Sequence, residues 1–159
     1  MNPKPNHKFF QIPFLFLSAF ILIGCGSSGS IEINDPWGRP ATEGMNSAVY
    51  FQIDNQTSET DSLLEAHSDV ADSVEVHMSV IGEGTEDGKG QEMGGDVMRM
   101  VQQEEVVVAA NGQVSFEPGG LHVMLIGIRH EIEAGDSIEL VLTFEKAGLI
   151  SIDIPVEMR

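Results

Sequence analysis

The sequence predicts an all-β fold, on three observations. Apolar residues come in short runs, Gly, Pro, Asn and Asp punctuate them, and no long stretch keeps a helical period. A strand at 47–54 ends at Asp54-Asn55, and strands at 61–66 and 73–80 follow. The next pair covers 96–101 and 105–109, closed by Ala110-Asn111-Gly112. A short strand at 113–116 is parted from 122–126 by Glu117-Pro118-Gly119-Gly120, in which proline presets the backbone and glycine supplies the left-handed turn position. Strands at 137–145 and 150–156 are set off by Ala134-Gly135-Asp136 and Lys146-Ala147-Gly148. Short strands at this spacing favour a two-sheet sandwich or a barrel. In Asp35-Pro36-Trp37-Gly38-Arg39-Pro40 two prolines exclude a central strand, so Trp37 is expected to plug one end of the core.

One segment departs from this pattern. Residues 82–95 hold six glycines among Glu83, Glu86, Asp87 and Glu92, the composition of a mobile acidic loop. They lack the alternating acidic ligands and terminal glutamate of a calcium loop.

The N-terminus indicates export. Lys4 and Lys8 precede an apolar run from Phe9 to Ile23, too short for a spanning helix of about 20 residues, and Leu22-Ile23-Gly24-Cys25 resembles a bacterial lipobox. Residues 1–24 are therefore expected to be a lipoprotein signal peptide and Cys25, the chain's one cysteine, the lipidated residue. Residues 25–30, rich in Gly and Ser, form a flexible tether, and one domain spans 31–159. Loss of the signal removes two lysines and no acids, taking the net charge from −17 to −19. Such a surface repels nucleic acid and anionic lipid. The placement is the cell envelope, anchored by lipid on the periplasmic or outer side of a bacterial membrane, with the domain a monomer.

The chemistry lies in the soft donors of the second half: His77, Met78, Met93, Met98, Met100, His122, Met124 and His130. Strand alternation puts His122 and Met124 on one side, puts Met98 and Met100 on one side, and sends His77 and Met78 to opposite faces. Neutral thioether and imidazole donors suit a soft monovalent ion, copper(I), better than zinc, calcium or magnesium. Thioethers need no deprotonation and survive an oxidising compartment that consumes thiolates. With no cysteine in the folded body, a blue-copper site and a cysteine-based zinc site are both disfavoured. A lone His-x-Met, however, is more often core methionine beside an exposed histidine.

A longer pattern adds to that pair. Asp-Val-Met-Arg-Met from residue 96, Phe-Glu-Pro-Gly-Gly-Leu-His-Val-Met-Leu-Ile-Gly from 116 and Ala-Gly-Asp-Ser-Ile-Glu-Leu-Val-Leu-Thr-Phe from 134 closely resemble the periplasmic copper chaperone family called PCuAC. Asp35 to Ala41, Gly44 to Phe51 and Val74 to Met78 resemble the family's earlier segments. The resemblance implies a cupredoxin-like Greek-key β-sandwich that holds copper(I) and passes it to a membrane or periplasmic acceptor, helping to supply the copper centre of a haem-copper oxidase. It implies His77, Met100, His122 and Met124 as metal ligands, since 21 residues separate Met100 from His122, as in the family motif, and Met98 falls outside it. Between His77 and Met100 lie 22 residues against the family's usual ten or so, an insertion that a hairpin tip absorbs at little entropic cost and that brings Met93 into play as an extra or transient ligand. Met45, His67, His130 and Met158 match no motif and are expected to be structural or exposed. No catalytic constellation is present, so the chain is not expected to be an enzyme. The competing readings are a metal-free structural or adhesive sandwich lipoprotein and a copper(II)-handling redox protein.

Overall fold

The computed structural model describes residues 29–83 and 96–159. The signal segment, Cys25, Met93 and most of the acidic insertion lie outside the described residues.

Among the described residues, ten strands form two sheets: β1 (Ile31–Gly38), β2 (Ser47–Asn55), β3 (Asp61–His67), β4 (Ala71–Glu83), β5 (Asp96–Gln102), β6 (Val106–Val108), β7 (Gln113–Phe116), β8 (Leu121–Ile128), β9 (Ser137–Phe144) and β10 (Gly148–Pro155). The larger sheet has the order β1-β2-β7-β8-β4-β5 and the smaller β10-β9-β3-β6. Sequential strands switch between the two, giving a Greek-key sandwich. The first half of β2 pairs with β8 and the second half with β7, so β7 and β8 share one neighbour along its length.

The core lies between the sheets and follows from period-two alternation. Val49, Phe51 and Ile53 of β2, Val123 and Leu125 of β8, and Leu140, Leu142 and Phe144 of β9 all point inward and are buried. Phe51 stacks on Phe116 of β7 with ring centroids 4.5 Å apart. A strand whose inward face is this fully apolar presents its alternate residues to the outer side of the sandwich. On the larger sheet those outward positions carry the soft donors.

Each strand expected from 47 onward is present, with ends shifted by at most three residues. Two differences are physical. The prolines do not prevent a strand at 31–38; they confine it to the sheet edge, where β1 pairs along its length with β2 and its register slips between Asn34 and Trp37, with Asp35 at φ 49°. Trp37 consequently leaves the core and packs on the outer face against Tyr50, centroids 4.5 Å apart, under the Arg159 guanidinium at 5.1 Å. The acidic insertion also begins later than its first glycine. Gly82 and Glu83 continue β4 because they pair with Val97 and Asp96 of β5, and the ladder overrides the glycine preference for a loop.

Two polar anchors hold the end of the sandwich away from those donors. Asn55, fully buried, donates from Nδ2 toward the carbonyls of Glu59, Val108 and Ala109 at 2.8–3.1 Å, and its Oδ1 accepts from the Thr57 amide and hydroxyl. Asn55→Ala removes the buried bond to the Val108 carbonyl, while the Ala109 carbonyl keeps the Gly112 amide and the Glu59 carbonyl the Thr57 hydroxyl, so a loss of about 1–3 kcal/mol in a urea or thermal melt is expected. Asp61 accepts from the amides of Ser62, Lys146 and Ala147 at 2.8–2.9 Å. Burial pushes its carboxyl up, but those three donors and the Lys146 charge outweigh burial and hold it below its ordinary value. A carboxyl held low stabilises the fold above its unfolded pKa of about 4, and that contribution is lost as pH falls through the lower folded value. The Tm deficit of Asp61→Asn should therefore be full at neutral pH and shrink below about pH 4.

Candidate metal centre

Three neighbouring strands, β8, β4 and β5, bring the candidate donors to the open face of the larger sheet. The turn before β8 sets the geometry. Pro118 and Gly119 occupy its middle positions, Gly119 at φ 85°, and the Gly120 amide closes it on the Glu117 carbonyl at 2.9 Å. The Gly120 carbonyl then points back across the sheet. It accepts the Ser79 amide of β4 at 3.1 Å and lies 3.0 Å from Nδ1 of His122.

A carbonyl only accepts, so Nδ1 of His122 is the protonated nitrogen and Nε2 carries the lone pair in the neutral ring. His122 is only 5% exposed, walled by Tyr50 with ring centroids 6.4 Å apart. The ring is thus fixed in tautomer and orientation, the arrangement that outer hydrogen bonds give to metal-ligating histidines.

Cross-strand register brings the second imidazole in. His77 of β4 lies directly opposite His122 of β8, and their rings meet edge to face with centroids 5.9 Å apart. Glu75, two residues earlier on the same face, accepts a hydrogen bond from Nε2 of His77 at 2.7 Å. The lone pair of His77 therefore sits on Nδ1, which is buried without a hydrogen-bond partner among the described residues. An unpartnered buried acceptor costs about 1–3 kcal/mol. A soft cation bound there would remove that cost.

Met124 projects from the same face as His122, opposite Glu75. Met100 of β5 lies opposite Ser79, which shares a face with His77, so Met100 is on this side of the sheet as well. Its position is a diagonal neighbour of His77, about 7–8 Å between Cα atoms in such a pair, and on the far side of the histidines from Met124. The structure thus sets His77, His122 and Met124 at adjoining positions and leaves Met100 one strand further out, 55% exposed on the sheet edge. Met98, two residues along β5, shares that face at 61% exposure. Met78 turns to the other face, as alternation requires, and pairs with Leu121 and Val101.

Met45, His67, His130 and Met158 are all exposed. Among the described residues no three histidine, cysteine, aspartate or glutamate side chains come together as a metal site, so a centre on this face has to draw on methionine. Sequence reasoning missed two residues. Glu75 was within reach of it, because position i−2 on a strand shares a face with i; Tyr50 was not, because its place beside His122 depends on the pairing of β2 with β8.

A family model described as "Putative lipoprotein LpqE-like" matches residues 31–156. The "Uncharacterized protein RP573" of Rickettsia prowazekii (strain Madrid E) is 26% identical over 124 residues, which is 75% of this chain and 62% of that protein. The chain therefore spans less than two thirds of that relative's length. Among solved structures, the copper-bound PCuAC domain from PmoF2 is similar at a TM-score of 0.64 and 27% identity, covering 84% of this chain and 97% of that domain. The copper(I) form of DR1885 from Deinococcus radiodurans, at 19% identity and a TM-score of 0.54 over 84% of this chain and 83% of that one, shares the fold. The cupredoxin-like sandwich is thereby established.

Proposed function

The chain belongs to the LpqE-like lipoprotein family, and from that premise and the His/Met face of its larger sheet we propose that it is a copper chaperone of the cell envelope. It binds one copper(I) through His77, His122, Met124 and Met100 and gives it up to a copper-accepting protein, a haem-copper oxidase copper centre being the proposed destination. The observation that carries the reading is the facing histidine pair, with one imidazole locked by Gly120 and the other holding a buried, unpartnered Nδ1. The copper in the PCuAC domain from PmoF2 supports the choice of ion.

Copper here is cargo, and what the chain's residues do follows from their chemistry. The two imidazoles are oriented as donors because Gly120 and Glu75 hold their N–H groups. Two thioethers complete a ligand set with no net charge, so the ion keeps its single positive charge, which the acidic surface balances in part. The thioethers have no proton to lose on binding or release, and transfer proceeds by ligand exchange. Lipid on Cys25 and the 25–30 tether keep the domain beside membrane-bound acceptors.

Titration with copper(I) under reducing conditions tests the reading. One tight equivalent is expected, abolished when Met100, His122 and Met124 are together changed to alanine. Absence of tight binding, or binding that survives the triple change, favours a metal-free sandwich lipoprotein.

A further inference from the structure

The donors on the open face form a graded series. Taken along the strand direction, Met124 stands beside Glu75, the His122–His77 pair comes next, Met100 follows beside Ser79, and Met98 comes last beside Ile81. Each position is offset from the one before by two residues, about 6.6–6.8 Å along a strand. Exposure rises in the same order from the histidines outward: 5% for His122, 14% for the His77 side chain, 55% for Met100 and 61% for Met98. Donor type changes with it, from imidazole nitrogen to thioether sulfur.

We infer that Met98 and Met100 together form an outer, two-thioether station through which copper(I) enters and leaves the inner site. This rests on the proposed copper(I) function and extends it to a residue outside the four-ligand set. Met98 and Met100 share one face of one strand, so their sulfurs reach a common point above it. β5 is the edge strand of its sheet, so an incoming ligand reaches that point without displacing another strand. Neither methionine is needed for the core: both are more than half exposed, as is Ile81 opposite Met98 at 72%.

The exchange step balances simply. A lone pair on the Met98 sulfur forms a Cu–S bond while a bond from copper to an inner donor breaks. Met100 stays bonded through the step, and copper remains monovalent. No proton moves, because a thioether has none to lose. Two thioethers without an imidazole hold copper(I) more weakly than the full set, so the station passes the ion on rather than retaining it.

Methyl NMR of the full chain labelled at methionine, titrated with silver(I) as a redox-inert probe of copper(I) sites, gives the first readout. The Met124 methyl shifts with the first equivalent, and the Met98 methyl shifts once a second ion competes for the shared Met100. The second readout is stopped-flow transfer of copper(I) to bicinchoninate, a chelator too small to need a docking surface. Met98→Leu, which keeps the apolar volume and removes the donor, is expected to leave the first-equivalent affinity unchanged and slow transfer about fivefold, a barrier rise of about 1 kcal/mol. Wild-type transfer by Met98→Leu, or a Met98 methyl that does not move through two equivalents, overturns the station. A Met124 methyl that never shifts instead sinks the copper-site reading itself, so the two failures are separable.

Discussion

Replacing His122 with alanine is expected to lower copper(I) affinity by more than about 100-fold, beyond the 10- to 100-fold that loss of an outer hydrogen-bond partner costs a metal site. His122 is the hinge of the arrangement. It faces His77 across the strand pair, shares a face with Met124, and is the most buried of the candidate donors. Its removal deletes one of the proposed ligands and leaves His77 with no facing imidazole. The backbone of β8 should persist, since Val123 and Leu125 keep their inward packing between the sheets. Competition against a calibrated copper(I) chelator measures the loss, with far-UV circular dichroism as the control for folding. His67→Ala, at an exposed histidine paired with Asp69, should bind as the wild type does.

Glu75→Ala is expected to weaken copper(I) binding by about 10- to 100-fold with little change in stability. The carboxylate accepts from Nε2 of His77 and so directs the ring's lone pair to Nδ1. Without it the ring is free to rotate and to exchange tautomers, and the ordering of the ligand has to be supplied at binding. Because the Glu75 side chain is 30% exposed and outside the core, its loss leaves the apolar packing alone. Glu75→Gln retains an oxygen that accepts the same hydrogen bond and should recover much of the affinity. Equal affinity for Glu75→Ala and wild type would show that His77 needs no support from its neighbour.

Most of the architecture was legible because it is written locally. Turn residues such as Pro118-Gly119 and Asn111-Gly112 mark strand ends, and apolar alternation marks inward faces, as in 49, 51 and 53 of β2. Strand β1 was not legible, because Pro36 excludes a central strand and an edge strand with a register slip leaves the same signature as a loop. The candidate centre divides the same way. That His122 and Met124 share a face needs only alternation. That His77 lies directly opposite His122 is a fact of register between strands some forty residues apart in the chain. It depends on the Gly120 carbonyl meeting the Ser79 amide, and no local spacing encodes that. The diagonal placement of Met100, one strand beyond the histidines, is likewise a property of the β4–β5 ladder.

X-ray absorption at the copper edge, on the chain loaded with one equivalent of copper(I), addresses the centre most directly. The proposed ligand set predicts a mixed first shell of two imidazole nitrogens and two sulfurs, with the outer-ring scattering that histidine ligation produces. A shell of light atoms alone, or a spectrum unchanged in Met124→Leu and His122→Ala, would contradict it.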